Sequence, residues 1–138
     1  MSTPSLLDTN ACVHLINRRP GYERLLAGID GREYGEILLS AITLAELEFG
    51  VAKSARGAAN RMRLDLFLAR FEIAPFDARA AAAYGPLRST LESKGTPIGL
   101  LHTQIAAHAL ALGAMLVTDN VREFGRVTGL RVVNWLKE

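Results

Sequence analysis

Two stretches far apart in the chain share one design, and it restricts the fold more than any other feature. Leu6-Leu7 is a short apolar run that ends on Asp8-Thr9-Asn10, and Leu116-Val117 ends in the same way on Thr118-Asp119-Asn120. Such a run reads as a buried strand that delivers polar groups to its C-terminal end. After the first run the pattern turns amphipathic over Ala11, Cys12, Val13, Leu15 and Ile16, a helix for which Thr9 or Asn10 is the expected cap. The alternation recurs at Ile37–Ser40, Glu72–Phe76, Ala114–Thr118 and Leu130–Val133, each separated from the next by helical sequence or a short turn. Strands alternating with helices predict an α/β fold: a mainly parallel sheet of about four to five strands, flanked by helices. In open sheets of this class ligands bind in the crevice beyond the strand C-termini. Asp8 and the Asp119-Asn120 pair are therefore placed at the mouth of the sheet.

The helical stretches follow from spacing. Pro20 suits the first turn of a second helix through Leu25, Leu26 and Ile29. Thr43 opens a helix through Val51, and Thr43 with Glu46 forms the S/T-x-x-E spacing of a capping box. Glu46 is thus either a capping partner or a site acid, while Glu48 points elsewhere and reads as solvated. Leu64, Phe67, Leu68 and Phe71 form the buried stripe of a helix over Arg56–Phe71, with Arg56, Arg63 and Arg70 on another side. That arginine row suits an RNA backbone or, more commonly, a solvated face. Asp77 is an expected N-cap for an alanine-rich helix, and Gly113 the end of an apolar helix over Leu101–Leu112. His102 lies in the first turn of that helix. His108, six residues on, falls on a different face, so the two are no helical metal pair and His108 reads as a core or interface residue. Trp135 is expected to cover the edge of the core.

Composition sets the bounds. At 138 residues, with 49% hydrophobic and 22% charged residues, residues 1–138 are expected to form one domain. No apolar run is long enough to cross a membrane and no leader pattern precedes the first strand, so a soluble cytoplasmic protein is expected. The single Cys12 agrees with a reducing compartment. Net charge is only +2, yet thirteen of the 16 basic residues are arginine, whose planar fork suits phosphate; nucleic acid is permitted rather than demanded.

The acids carry the chemistry. Asp8 and Asp119-Asn120 end two strands, and Glu46 sits on a helix directly after a third. Clustered carboxylates repel one another and are usually held together by a hard cation such as Mg2+ or Mn2+. A divalent ion held by a few carboxylates, with water positions open, suits hydrolysis of a phosphodiester.

The chain also resembles a known family. Leu6–Asn10, Ser40–Leu47, Gly95–Gly99, Ile105–Ala109, Leu116–Asn120 and Arg122–Phe124 together are similar to the PIN domain, and more narrowly to VapC-type toxin ribonucleases of bacterial toxin–antitoxin pairs. The resemblance spans nearly the whole chain and implies a PIN-like fold. It implies a Mg2+-dependent endoribonuclease, with Mn2+ as an alternative ion, acting on structured RNA, often tRNA. It further implies a homodimer inside a larger complex with a VapB-like antitoxin, whose tail fills the acidic groove and is expected to present an arginine to it. The apolar faces of the first helices and of the Arg56–Phe71 helix are the expected contact surfaces. By position Asp8 and Glu46 match the first two metal-binding acids and Asn120 the fourth, with Asp119 beside it to substitute or assist. Thr9 and Thr118 match small polar residues that line the site.

The third position departs from the family. Where it usually reads Gly-Pro-x-Asp, this chain has Gly99-Leu100-Leu101-His102. Neutral imidazole brings no negative charge and favours softer ions than Mg2+. Three readings stand: a site tuned to Mn2+ or another transition ion, a non-cleaving homologue that acts as an antitoxin- or RNA-binding module, or an inactivating change introduced so that a toxic protein can be produced. Phosphatase chemistry of the haloacid dehalogenase type is disfavoured because Asn10 stands where a second acid is needed. A phospho-acceptor receiver is disfavoured because the first strand ends on one acid rather than two.

Overall fold

The computed structural model describes residues 3–137. In chain order the elements are β1 (Ser5–Leu7), α1 (Thr9–Ile16), α2 (Tyr22–Ile29), β2 (Ile37–Ser40), α3 (Ala41–Ala52), α4 (Gly57–Leu68), β3 (Glu72–Ala74), α5 (Ala78–Ser93), α6 (Leu100–Leu112), β4 (Met115–Val117), α7 (Val121–Phe124) and β5 (Val132–Val133). The five strands form one sheet in the order β3-β2-β1-β4-β5, and every pairing is parallel. Parallel neighbours need crossover connections, and the helices supply them.

Strand periodicity divides the core into two layers. Leu6, Leu38 and Leu116 are register partners across β2-β1-β4, and they face α5 and α6 with Leu91, Ile98, Ile105 and Phe124. Leu7, Leu39 and Val117, one residue further along each strand, face the other way. They pack with Cys12, Leu25, Leu47, Leu64 and Phe71 from the α1–α4 side. A sheet buried on both faces explains why its strands read as unbroken apolar runs.

β1 is the central strand, with β2 on one side and β4 on the other, so the chain's connections leave it in opposite directions. That is the switch point beyond which a crevice opens. The Asp8 N–H continues the ladder by donating to the Val117 carbonyl at 3.1 Å, which brings the ends of β1 and β4 together. Among the described residues no helix is long and apolar enough to cross a membrane.

Several local expectations are corrected. Pro20 lies outside α2, whose cap is Gly21 in the left-handed region at φ 90°. The Arg56–Phe71 helix is confined to Gly57–Leu68. The first helix is capped by neither Thr9 nor Asn10 but by Asp8 itself, which accepts from the Ala11 N–H at 2.7 Å. Ser40, rather than Thr43, caps α3, accepting from the Ile42 N–H at 3.0 Å. The capping-box reading of Thr43 and Glu46 is thereby excluded, because the helix starts before Thr43.

Asp77 caps α5 as expected, with bonds from Arg79 and Ala80 N–H. Gly113 ends α6 at φ 64°. Trp135 packs on the core edge against Gly28, with the Arg32 guanidinium 4.6 Å above its ring. The arginine row is partly structural: Arg63 donates to the Ile16 carbonyl and to Asn17 Oδ1, tying α4 to the end of α1. Glu48 is exposed but paired, with Arg61 at 2.5 Å.

Candidate active site

The site lies where the C-terminal ends of β1 and β4 meet the N-terminal halves of α1, α3 and α6. Asp8, Thr9, Asn10, Glu46, Leu101, His102, Ile105 and Phe124 surround a recess of about 100 Å³. Asp8 is its buried acid, 5% exposed. One of its carboxylate oxygens caps α1; the other accepts the Thr118 hydroxyl at 2.5 Å. Burial pushes its carboxyl up from the ordinary aspartate range. The bonds from Thr118 and Ala11 pull the other way, nearby Asp119 raises it further, and His102 lowers it. No lysine or arginine is among the groups that move its titration. A buried carboxylate without a cationic side chain against it suits a bound cation.

Glu46 reaches the recess from the second turn of α3. Thr9 donates its hydroxyl to Glu46 Oε1 at 3.0 Å, and the Thr9 and Thr43 hydroxyls lie 3.1 Å apart. Because the Thr9 proton is committed to Glu46, the fully buried Thr43 hydroxyl donates to Thr9. Thr43 is thus a support for the acid rather than a helix cap. It was missed as a site residue because its spacing to Glu46 matched a commoner motif.

The β4 end is arranged differently from its twin. Asp119 is exposed and accepts from Asn10 Nδ2 at 2.9 Å, joining the two strand ends. Asn120 donates its N–H to the Thr118 hydroxyl oxygen at 2.9 Å and caps the short α7. Its Nδ2 donates to Glu123 Oε2 at 3.0 Å. The same Glu123 oxygen lies 2.9 Å from His102 Nδ1. Bonds from Asn120 and then His102 hold the Glu123 carboxyl below its usual range. Glu123 was not singled out as a site residue; the signals were its place in the Arg122–Phe124 segment that carries the resemblance and its position three residues beyond Asn120, where a helical turn brings it back to the cap.

As the side chains stand, no three His, Cys, Asp or Glu groups among the described residues converge on one point. The arrangement is therefore not a closed cage but one or two carboxylates beside a recess with room for water, the manner in which Mg2+ is usually held.

His108 is buried on the far side of α6. Its Nδ1 lies 2.7 Å from Ser40 Oγ, and its ring meets Phe76 edge-on at 5.3 Å. Burial lowers its pKa, so it stays neutral and belongs to the core.

The PIN-domain family model matches residues 5–130. The chain belongs to this family. Within it the VapC ribonucleases are close relatives. Ribonuclease VapC2 of Rickettsia felis is 44% identical over 96% of this chain and 98% of its own length. The tRNA(fMet)-specific endonuclease VapC of Salmonella typhimurium is 36% identical over 94% and 96%. In three dimensions the chain superposes on the crystal structure of VapBC2 from Rickettsia felis bound to a DNA fragment from their promoter. The TM-score there is 0.86 at 43% identity, covering 95% of this chain and 98% of that one. DNA-bound VapBC from Salmonella typhimurium gives a TM-score of 0.87 at 35% identity, covering 97% and 99%. The five-stranded, all-parallel α/β fold is that of these complexes.

Proposed function

We infer that this chain is the ribonuclease toxin of a VapBC-type toxin–antitoxin pair. It cleaves structured RNA, tRNA foremost, in the cytoplasm with Mg2+ or Mn2+. The observation that carries the reading is Asp8: a buried carboxylate without a lysine or arginine partner, at the β1–β4 switch point, facing Glu46 and His102 across one recess. Relatives that share the fold and a third or more of the sequence along nearly their full length bear ribonuclease names, which supports an RNA substrate.

Asp8 and Glu46 are the residues that would hold the ion, with His102 and Asn120 at its margin. The chemistry such an ion supplies is charge stabilisation at the scissile phosphate and a lowered pKa for water. Thr118 fixes the Asp8 carboxylate and Thr9 fixes Glu46, so neither acid has to reorganise when an anionic substrate arrives. Asp119, bonded to Asn10, adds negative charge at the rim.

A VapB-like antitoxin is the proposed partner, in a complex built on a toxin homodimer. Its docking ground is a groove of about 200 Å³ between α1, α3 and α4, lined by Val13, Ile16, Leu47, Val51 and Leu64. Phe49, Met62 and Leu66 remain exposed on the α3–α4 pair. A second reading, a silenced binding module, is favoured by one observation: His102 stands in the third position and is bonded to Glu123.

Incubation of a total tRNA pool with Mg2+ or Mn2+, in the absence of antitoxin, separates the readings. Cleavage by the native chain that disappears in Asp8→Asn supports the toxin. Cleavage seen only after His102→Asp supports the silenced module. Cleavage unaffected by Asp8→Asn would sink the site assignment.

A further inference from the structure

Near the end of α3 stands a glycine that the chain's own packing does not require. Gly50 does not take a positive φ, so no left-handed turn demands it. A Cβ built on it would meet nothing within 4 Å beyond its own helix backbone, so no neighbour crowds it out. Apart from proline, glycine is the residue that most weakens a helix. The space it leaves open belongs to the groove between α1, α3 and α4, which Gly50 lines. Half-buried Val13, Ile16 and Val51 and buried Leu47 and Leu64 make the apolar part of that lining. Its polar members are Asn17, Asn60 and Arg63, and among the described residues that line it Arg63 alone is charged. The guanidinium donates to the Ile16 carbonyl and to Asn17 Oδ1, both neutral, and among the described residues no carboxylate pairs with it. Glu46 and Gly50 stand four apart on one face of α3, so the groove adjoins the acidic recess.

We propose that Gly50 is kept free of a side chain by the partner that seats in this groove. That partner is a helix whose apolar stripe passes over Gly50 and which sets an Asp or Glu carboxylate against Arg63. The proposal rests on the antitoxin reading above and deepens it by naming the chemistry of the docked segment. A missing side chain on one helix lets a second backbone approach closely. Docked helices present anchors at i, i+3, i+4 and i+7, which suits an apolar groove flanked by helices. Charge settles the rest. A held guanidinium without an acid disfavours a basic segment and makes a charge-assisted bond with a carboxylate. The recess at Asp8 and Glu46 is negative and the groove at Arg63 positive, so one segment that reaches both lies in one direction only.

The test selects a phage-displayed library of random peptides, each about 15 residues or four helical turns long, on the full-length native chain. The peptides recovered are synthesised and titrated by calorimetry against the native chain and its Gly50 and Arg63 variants. Peptides with a helical apolar stripe and at least one Asp or Glu are expected. Gly50→Leu weakens them about 10–100-fold because it fills the floor on which they sit. The same substitution raises the melting temperature by about 2–4 °C, since the helix gains a better former and displaces no neighbour. A glycine needed by the fold itself would instead lower stability and binding together. Arg63→Gln weakens binding about ten-fold and Arg63→Glu weakens it further, and added salt narrows the difference. A recovered set that tolerates Gly50→Leu throughout, or that lacks acids, overturns the proposal. So does a Gly50→Leu chain that melts below the native one, or a selection that returns no binder. Cleavage of tRNA by the native chain beside any of these results leaves the toxin reading intact.

Discussion

Asp8→Asn should make this protein more stable in metal-free buffer, although it removes the residue the site is built around. The native carboxylate is 5% exposed and its burial raises its pKa, so folding at neutral pH takes an ionised group out of water. The desolvation penalty for such a group is on the order of several kcal/mol. Against it stand two charge-assisted bonds, from the Ala11 N–H at 2.7 Å and the Thr118 hydroxyl at 2.5 Å. Each is about 1 kcal/mol stronger to a carboxylate than to an amide. The α1 N-terminus adds about 0.5 kcal/mol in favour of the anion. Desolvation is the largest of these effects. Asparagine, itself a good N-cap, should gain about 1 kcal/mol, or about 3 °C in melting temperature for a chain of this size. The pH dependence fixes the cause. A carboxyl whose folded-state pKa is raised favours the folded state only as it becomes protonated. The gap between variant and native chain is therefore full above the folded pKa of Asp8. It closes as pH falls through that value toward the ordinary aspartate value of 3.8. Thermal melts in EDTA from pH 4 to 8 read this directly. Saturating Mn2+ should reverse the order, since an ion at 100 times its Kd adds about 2.7 kcal/mol to the native chain alone. A variant less stable than the native chain at pH 7 in EDTA, or a gap that does not change with pH, would refute the argument.

Ser40→Ala removes the cap of α3 and the partner of His108 Nδ1 together; a loss of about 2 kcal/mol in urea unfolding is expected, with RNA cleavage lowered because α3 carries Glu46. Thr118→Val strips a hydroxyl from Asp8 and leaves the Asn120 N–H without its acceptor. It should cost about 1–3 kcal/mol and move the Asp8 carboxyl titration upward, seen by NMR, because that bond lowers it. Gly28→Ala places a Cβ 2.7 Å from the Trp135 ring; a red-shifted tryptophan emission and about 1–3 kcal/mol of destabilisation should follow, with the metal site unaffected.

The sheet was legible in the sequence because its strands are buried on both faces, so each is an apolar run ending where the backbone meets solvent. Leu6-Leu7 and Leu116-Val117 announced themselves in this way, and their like endings rightly placed Asp8 near Asp119-Asn120. Helix starts were less legible. Ser40, Thr43, Asp8 and Thr9 all belong to residue types that cap helices, and local sequence does not say which hydroxyl or carboxylate is free to turn inward. Tertiary contact decided it. Thr43 is buried against Thr9 from another helix, 34 residues away, and so supports Glu46 while Ser40 takes the cap.

The same logic explains Glu123 and His102. Read along the chain, Glu123 is one more acid on a short polar turn, and His102 a loss of charge at a place where acids gather. Only the packing of α6 against α7 brings the two within 2.9 Å, beside the tilted ring of Phe124. Seen together they are not a deletion but an exchange. A carboxylate does stand at this corner, on Glu123, 2.9 Å from the ring at position 102. The ring at position 102 in turn bears on Asp8, whose carboxyl it lowers against the rise caused by burial. Cleavage by His102→Asp set beside cleavage by the native chain is therefore the comparison that reads what the exchange does.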